Sequence, residues 1–210
     1  MNKLSSNWQY TEHFHAEPEP ITRARKLSLE FGIAPVSRAT AAVIASTAVM
    51  TNAKKICELG TGCGVSGLSL LRHLPQATLT SVDIESEFQN QAKPLFQAAG
   101  IAASRYRFIT QDASQMLPRF ENNSYDLLLI DANPSNLLGY IEHGLLVVRQ
   151  GGSILVPNAL WHGQVADPAA RDSITTNFRD LLAAVVESTA VATSLTPTGN
   201  GLLTITKLAE

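Results

Sequence analysis

Three glycines alternate in Glu58-Leu59-Gly60-Thr61-Gly62-Cys63-Gly64, just after a short apolar run and just before a helical pattern. Glycines let a backbone turn sharply and come into contact with a ligand, and a helix opening beside them leaves free N–H donors. A plain tight turn has no need of three alternate glycines behind a buried strand. Roughly twenty residues on, Asp83 ends the next apolar run, where a carboxylate suits the paired hydroxyls of a ribose. The overlapping Gly62-Cys63-Gly64-Val65-Ser66-Gly67 also meets the dinucleotide fingerprint. The turn alone thus leaves two ligands open, a dinucleotide or a nucleoside that carries an amino acid. Glu58, ahead of the first glycine, favours the second, because an acidic group there can hold the network beneath an amino-acid portion.

These residues meet only if the chain supplies the right elements in the right order. Residues 37–50 are Ala-rich with spaced Val43, Ile44 and Val49, a helical pattern, and a short apolar strand follows over 55–59. A helix over 65–74 ends at Pro75, a strand covers 78–84, and a helix over 86–99 stops at Gly100. Strands follow at 106–110 and 125–131. The second holds the unbroken run Leu127-Leu128-Leu129-Ile130, as suits a central strand covered on both faces. A helix over 136–148, a strand over 153–156 and a long helix over 168–188 come next. Runs at 190–195 and 202–207 flank Thr196-Pro197-Thr198-Gly199-Asn200-Gly201 and read as a hairpin. The expected fold is a doubly wound α/β sheet of seven strands, mostly parallel and Rossmann-like, with an antiparallel last strand. In such sheets the ligand lies beyond the carboxyl ends of the strands. Residues 1–33 form a separate helical extension broken at Glu17-Pro18-Glu19-Pro20, with a second helix over 21–31, and residues 1–210 make one domain.

Bulk properties narrow the classes. The 210 residues are 45% hydrophobic and 16% charged, enough apolar material for a full core. A formal charge of −2 and the lack of a basic run disfavour nucleic acid. No stretch is apolar for the ~18 residues that span a bilayer, and the N-terminus carries no apolar secretory core. The two cysteines, Cys57 and Cys63, are not spaced as a zinc site, and a reduced, cytoplasmic setting is the simplest expectation. Cys63 has no cationic neighbour in sequence to make a thiolate and reads as a small filler.

From about residue 33 to the C-terminus the chain resembles the bacterial catechol and caffeoyl-CoA type O-methyltransferases. The resemblance is carried by Glu58-Leu59-Gly60-Thr61-Gly62, Val82-Asp83-Ile84, Gln111-Asp112-Ala113, Leu129-Ile130-Asp131-Ala132, Leu160-Trp161-His162-Gly163 and Thr198-Gly199-Asn200-Gly201-Leu202. It implies S-adenosylmethionine as cofactor, a small hydroxylated and aromatic acceptor, and a homodimer. It also implies that Glu58, Gly60, Thr61, Gly62 and Ser66 surround the methionine part, with Val36 closing over it. Asp83 would hold the ribose, Ile84, Asp112 and Ala113 would border the adenine, and Asp131 would approach the sulfonium. Local alternatives stay open: Asp83 as a cap for the helix that starts at Ser86, Val36 as ordinary core, Ser66 bonded within its own helix.

The chain departs from the family where metal-dependent members bind a divalent cation. Hard cations need several oxygen ligands. Asp131 and Asn158 keep two such positions, but Pro157 replaces an aspartate and Pro134 the lysine base, and Asn133 stands between. The expectation is therefore no tight metal site; a weak one would use Asp131 and Asn158. Asp131 and His162 are the candidate catalytic residues, with His13 and His15 as further bases, imidazole having a suitable pKa. His162 stands in the loop after the fifth strand, where a surface histidine is the simpler reading, while His73 and His143 fall on helices. A dinucleotide-dependent oxidoreductase, and a cofactor-binding protein without catalysis, are the competing functions.

Overall fold

The structure, a computed structural model, describes residues 3–209; Met1, Asn2 and Glu210 of the expected 1–210 domain lie outside the described residues. Helices α1 (Lys3–His13), α2 (Glu19–Glu30) and α3 (Arg38–Met50) precede the sheet. The alternation that follows is β1 (Lys55–Leu59), α4 (Val65–His73), β2 (Thr78–Asp83), α5 (Ser86–Ala98) and β3 (Tyr106–Thr110). It continues through α6 (Ala113–Met116), β4 (Tyr125–Ile130), α7 (Leu137–Val147), β5 (Val148–Pro157), α8 (Ser173–Glu187), β6 (Val191–Thr196) and β7 (Leu202–Lys207).

The seven strands lie in the order β3-β2-β1-β4-β5-β7-β6. β1 to β5 pair in parallel, and β7 runs antiparallel to both β5 and β6, wedged between them. The apolar run of β4 explains the layering. Side chains alternate across a strand. Leu127 and Leu129 accordingly join the core formed with α2 to α5, and Leu128 and Ile130 join the core formed with α7 and α8. All four have at most 3% of their surface exposed. Chain reversal between β1 and β4 puts the switch point at the carboxyl end of β1, where the glycine turn lies.

Three boundaries differ from the sequence reading. α8 starts at Ser173, not 168, because the Asp172 carboxylate accepts from the Thr175 N–H and caps it there. β5 begins at Val148, five residues early, with a register shift against β4. The unforeseen α6 is a single turn capped by Asp112, whose Oδ1 accepts from the Ser114 N–H.

The N-terminal extension is tied down by charge. The Arg25 guanidinium grips Glu17 at 2.9 and 2.5 Å and donates to the Val36 carbonyl at 2.7 Å. The two side chains keep only 15% and 7% of their surface exposed. One arginine thereby joins the break before α2 to the segment that leads into α3. Without Arg25, Glu17 keeps only the half-exposed Arg38 at 3.4 Å, and the Val36 carbonyl loses its donor. Arg25→Met should therefore lower the unfolding free energy by about 2 kcal/mol. Lys26→Met, which loses only the exposed Lys26–Glu30 pair, should cost about 0.5 kcal/mol or less. Urea titrations of both variants check the contrast, and equal effects would contradict it.

Candidate active site at the strand ends

Hydrogen bonds hold the end of β1 between its two neighbours. The Gly60 N–H donates to the Val82 carbonyl and the Asp131 N–H to the Leu59 carbonyl, each at 2.8 Å. Gly60 sits at φ +94°, and a Cβ there would lie 2.1 Å from the Asp131 carbonyl oxygen. Only glycine fits. Asp83, at the end of β2, bends back to the turn. Its Oδ2 accepts from the Gly62 N–H at 2.9 Å and its Oδ1 from the Glu85 N–H at 3.0 Å. Glu85, not Asp83, occupies the cap position of α5, so the helix-cap alternative does not hold. A carboxylate has further lone pairs, and Asp83 keeps them for a ligand in the cleft.

Beneath the turn lies Glu58, with no exposed surface. Ser66 donates to its Oε1, across from α4 and not within that helix, and Ser81 donates to its Oε2 at 2.5 Å. Burial pushes the Glu58 pKa up to about 7; the two hydroxyls work against this, and the charges of Asp131 and Asp83 add to it.

Above these groups opens a cleft of about 320 Å³. Gly60, Thr61, Gly62 and Ser66 form its floor, with Asp83 and Ile84 on the β2 side. Asp112 and Ala113 stand at the start of α6, and Asp131 at the end of β4. Val36, 4% exposed, is at once core and cleft wall. Ile84 is 64% exposed, an apolar side chain left at the rim. The lining also includes Ser28, Phe88, Asn136 and Tyr140, which the sequence reading missed. Phe88 stands one helical turn beyond Ile84, a spacing that could have flagged it; nothing in sequence ties Ser28 or Tyr140 to the turn. Cys63 is hydrogen-bonded to Ser28 and its thiol is pushed up by burial, in keeping with a filler.

A second cavity, of about 350 Å³, shares Ala34, Pro35 and Val36 with the first and adds Trp8, Glu12, Pro157, Asn158 and Asn200. The two meet at one contact: Asn158 Nδ2 donates to Asp131 Oδ1 at 3.3 Å, and Asn158 accepts from Asn200 Nδ2 at 3.4 Å. Desolvation pushes the Asp131 pKa up to about 6, opposed by the Asn158 amide. Helix α1 closes this cavity because the Glu12 carboxylate accepts from the Ser37 hydroxyl and from the Ala39 and Gly199 N–H groups.

The structure does not bring His162 to the cleft: it lines neither cavity. Left-handed backbone at Trp161, His162 and Gly163 turns Trp161 onto Phe178, ring centroids 5.5 Å apart, and leaves the imidazole in solvent. His13 and His15 are exposed and line neither cavity as well; the His13 ring bonds to the Gln9 carbonyl. The residues also fit a divalent cation poorly. Pro134 and Pro157 offer no ligand, and the Asn158 amide already spans Asp131 and Asn200. Among the described residues no group of three or more His, Cys, Asp or Glu is placed to hold a metal.

The profile of the O-methyltransferase family matches residues 19–208. A relative from Mycobacteroides abscessus assigned to the O-methyltransferases is 35% identical over 193 residues, 91% of this chain and 90% of that one. A solved Corynebacterium glutamicum protein superposes with a TM-score of 0.91 at 29% identity, covering 100% of this chain and 99% of its own. The O-methyltransferase TomG of Streptomyces achromogenes, which takes part in tomaymycin synthesis and was crystallised with S-adenosylmethionine, shares the fold. Its TM-score is 0.86 at 22% identity, with both chains fully covered.

The buried carboxylate generates a pH prediction. The Glu58 pKa is raised in the folded protein from an ordinary 4.5 to about 7. Between those values the folded state keeps a proton that the unfolded chain has released, so stability falls as pH rises through that window and levels off above it. Glu58→Gln cannot titrate. The stability of the wild-type protein relative to this variant should therefore fall by up to about 3 kcal/mol from pH 4.5 to 7, as read from urea titrations at stepped pH. A difference that stays flat across the window would contradict the burial argument.

Proposed function

The chain belongs to the O-methyltransferase family, and from that premise we propose that it moves the methyl group of S-adenosylmethionine to the oxygen of a small hydroxylated, aromatic acceptor, without a tightly bound metal. The observation that carries the cofactor reading is the charge of the cleft. Asp83 and Asp131 line it and Glu58 lies beneath it, while no Arg, Lys or His is among its lining residues. A pyrophosphate would be repelled there, and the Gly62 N–H that could meet one is already given to Asp83. A ligand with a sulfonium and an ammonium is attracted.

S-adenosylmethionine, when bound, supplies a methyl group activated by its sulfonium. In this reading Asp83 accepts hydrogen bonds from the ribose hydroxyls, and Ile84, Asp112 and Ala113 border the adenine. Glu58, through Ser66 and Thr61, sits under the methionine part with Gly60 and Gly62, and Val36 closes over it. The acceptor occupies the second cavity, with its hydroxyl at the Asp131–Asn158 contact and its ring beside Trp8. Asp131 orients that hydroxyl and takes its proton as the oxygen–methyl bond forms and the sulfur–methyl bond breaks. A phenol near pKa 10 does not ionise toward a carboxylate near 6 in advance, so alignment supplies much of the rate.

The same reading takes residues 1–210 as one domain acting in the cytoplasm, with the buried Cys57 and Cys63 both free thiols. No helix among the described residues is long and apolar enough to cross a membrane. A homodimer is supported by the exposed Trp8, Tyr10, Phe14 and Met50, which line an apolar groove between α1 and α3.

Calorimetry should show binding of S-adenosylmethionine and S-adenosylhomocysteine; no heat with either at millimolar concentration would end this reading. Asp131→Asn should lower kcat by about 10²- to 10⁴-fold, and chelator should leave wild-type turnover unchanged. Light scattering should give twice the chain mass for the wild type and a lower mass for the Tyr10→Ser, Phe14→Ser double variant.

A further inference from the structure

Gln89 is a polar side chain of α5 with 3% of its surface exposed, and the reading above gives it no task. Its amide is fully engaged. Nε2 donates to Thr61 Oγ1 and to the Ile109 carbonyl, both at 3.1 Å, and Oε1 accepts from the Thr110 hydroxyl at 2.9 Å. The Ile109 carbonyl can only accept, so the nitrogen must face it and the amide has one possible orientation.

That orientation makes Gln89 a donor to Thr61, so the Thr61 proton is not spent on the amide and is left for Ser81. Thr61 Oγ1 lies 2.7 Å from Ser81 Oγ, and Ser81 donates its single proton to Glu58. Thr61 must then give its own proton to Ser81, and must accept one from Gln89. The result is a one-way chain from the Gln89 amide through Thr61 and Ser81 to the Glu58 carboxylate. It crosses β1 and β2 and ends under the cleft. Each member polarises the next. We propose that Gln89 is a positioning residue: by donating to Thr61 it leaves the Thr61 proton for Ser81 and the Ser81 proton for Glu58, and so favours the ionised carboxylate that meets the ammonium of the cofactor's methionine part. This rests on the cofactor reading above.

The charges that face Glu58 are few. Asp131 approaches from the end of β4, Asp83 from the end of β2, and the buried Cys57 thiol is its chain neighbour. α4 presents Ser66, and α5 presents Gln89 through the relay. Among these, Ser66 and Ser81 are the direct donors to the carboxylate, so the direction in which Ser81 donates matters.

Two variants separate positioning from packing. Gln89→Glu keeps the shape and loses the amide donors but adds a carboxyl whose charge itself raises the Glu58 midpoint, so the uncharged Gln89→Met is the deciding variant. Gln89→Met keeps the volume and loses donor and acceptor alike. Carbon-13 NMR of the glutamate carboxyl carbons, with Glu58→Gln to assign the signal, reads the Glu58 midpoint in the ligand-free protein. The midpoint should rise by about one pH unit in Gln89→Glu and by less in Gln89→Met. Calorimetry with S-adenosylhomocysteine should show wild-type affinity rising with pH through the same midpoint. Below that midpoint Gln89→Glu should bind about tenfold more weakly, with the difference closing at high pH. A midpoint unchanged in either folded variant overturns the proposal, as does a loss of affinity that is the same at every pH. If the wild type binds no S-adenosylhomocysteine, the cofactor reading fails and takes the ammonium role with it, while the NMR midpoints still decide whether Gln89 governs Glu58.

Discussion

Burying one carboxylate under the carboxyl end of a parallel sheet is the constraint on which the rest of this structure turns. Glu58 has no contact with solvent, and an ionised carboxylate in such a place is costly unless it is fully hydrogen-bonded. The donors are Ser66 on α4 and Ser81 on β2, and Thr61 of the turn stands behind Ser81. Those elements must therefore sit in register. The sheet provides it, since Glu58 lies opposite Ser81 on one side and Leu129 on the other. The glycine turn follows from the same closeness, because the strand end that carries Glu58 passes against the Asp131 carbonyl at Gly60.

Electrostatics at the cleft then follow from position. The ends of β2 and β4 place Asp83 and Asp131 on the cleft, and β1 holds Glu58 beneath it. Burial raises the Glu58 pKa, and the charges of Asp131 and Asp83 add to it. Asp131 differs from the other two in bonding to Asn158, which lines a second cavity together with Asn200 and Pro157, a residue that offers a cation no ligand. The Asn158–Asp131 hydrogen bond thus joins the two cavities.

The N-terminal helices complete the site without belonging to the sheet. Arg25 and Glu17 fix the segment before α3, and Glu12 ties α1 to the start of α3 and to the β6–β7 turn. That turn reaches the site because β7 is inserted beside β5, bringing Asn200 to Asn158. The last strand and the first helix therefore shape the same cavity.

By itself the sequence determined the alternation of strands and helices, the glycine turn, and the acidic strand ends, because periodicity and glycine spacing act over a few residues. The run Leu127 to Ile130 announced a strand covered on both faces, and the two cores on either side of it are the result. What only the tertiary structure decided lies across long separations. Gln89 is an unremarked helix residue until α5 packs over Thr61, and Ser28, Trp8 and Glu12 reach the site from an extension with no motif. His162 follows a tryptophan in the expected loop, yet a left-handed turn, invisible to residue type, leaves it in solvent. Local patterns encode which elements form and where a ligand can approach; which side chains face that ligand depends on packing and proton direction, and those exist only once the chain is folded.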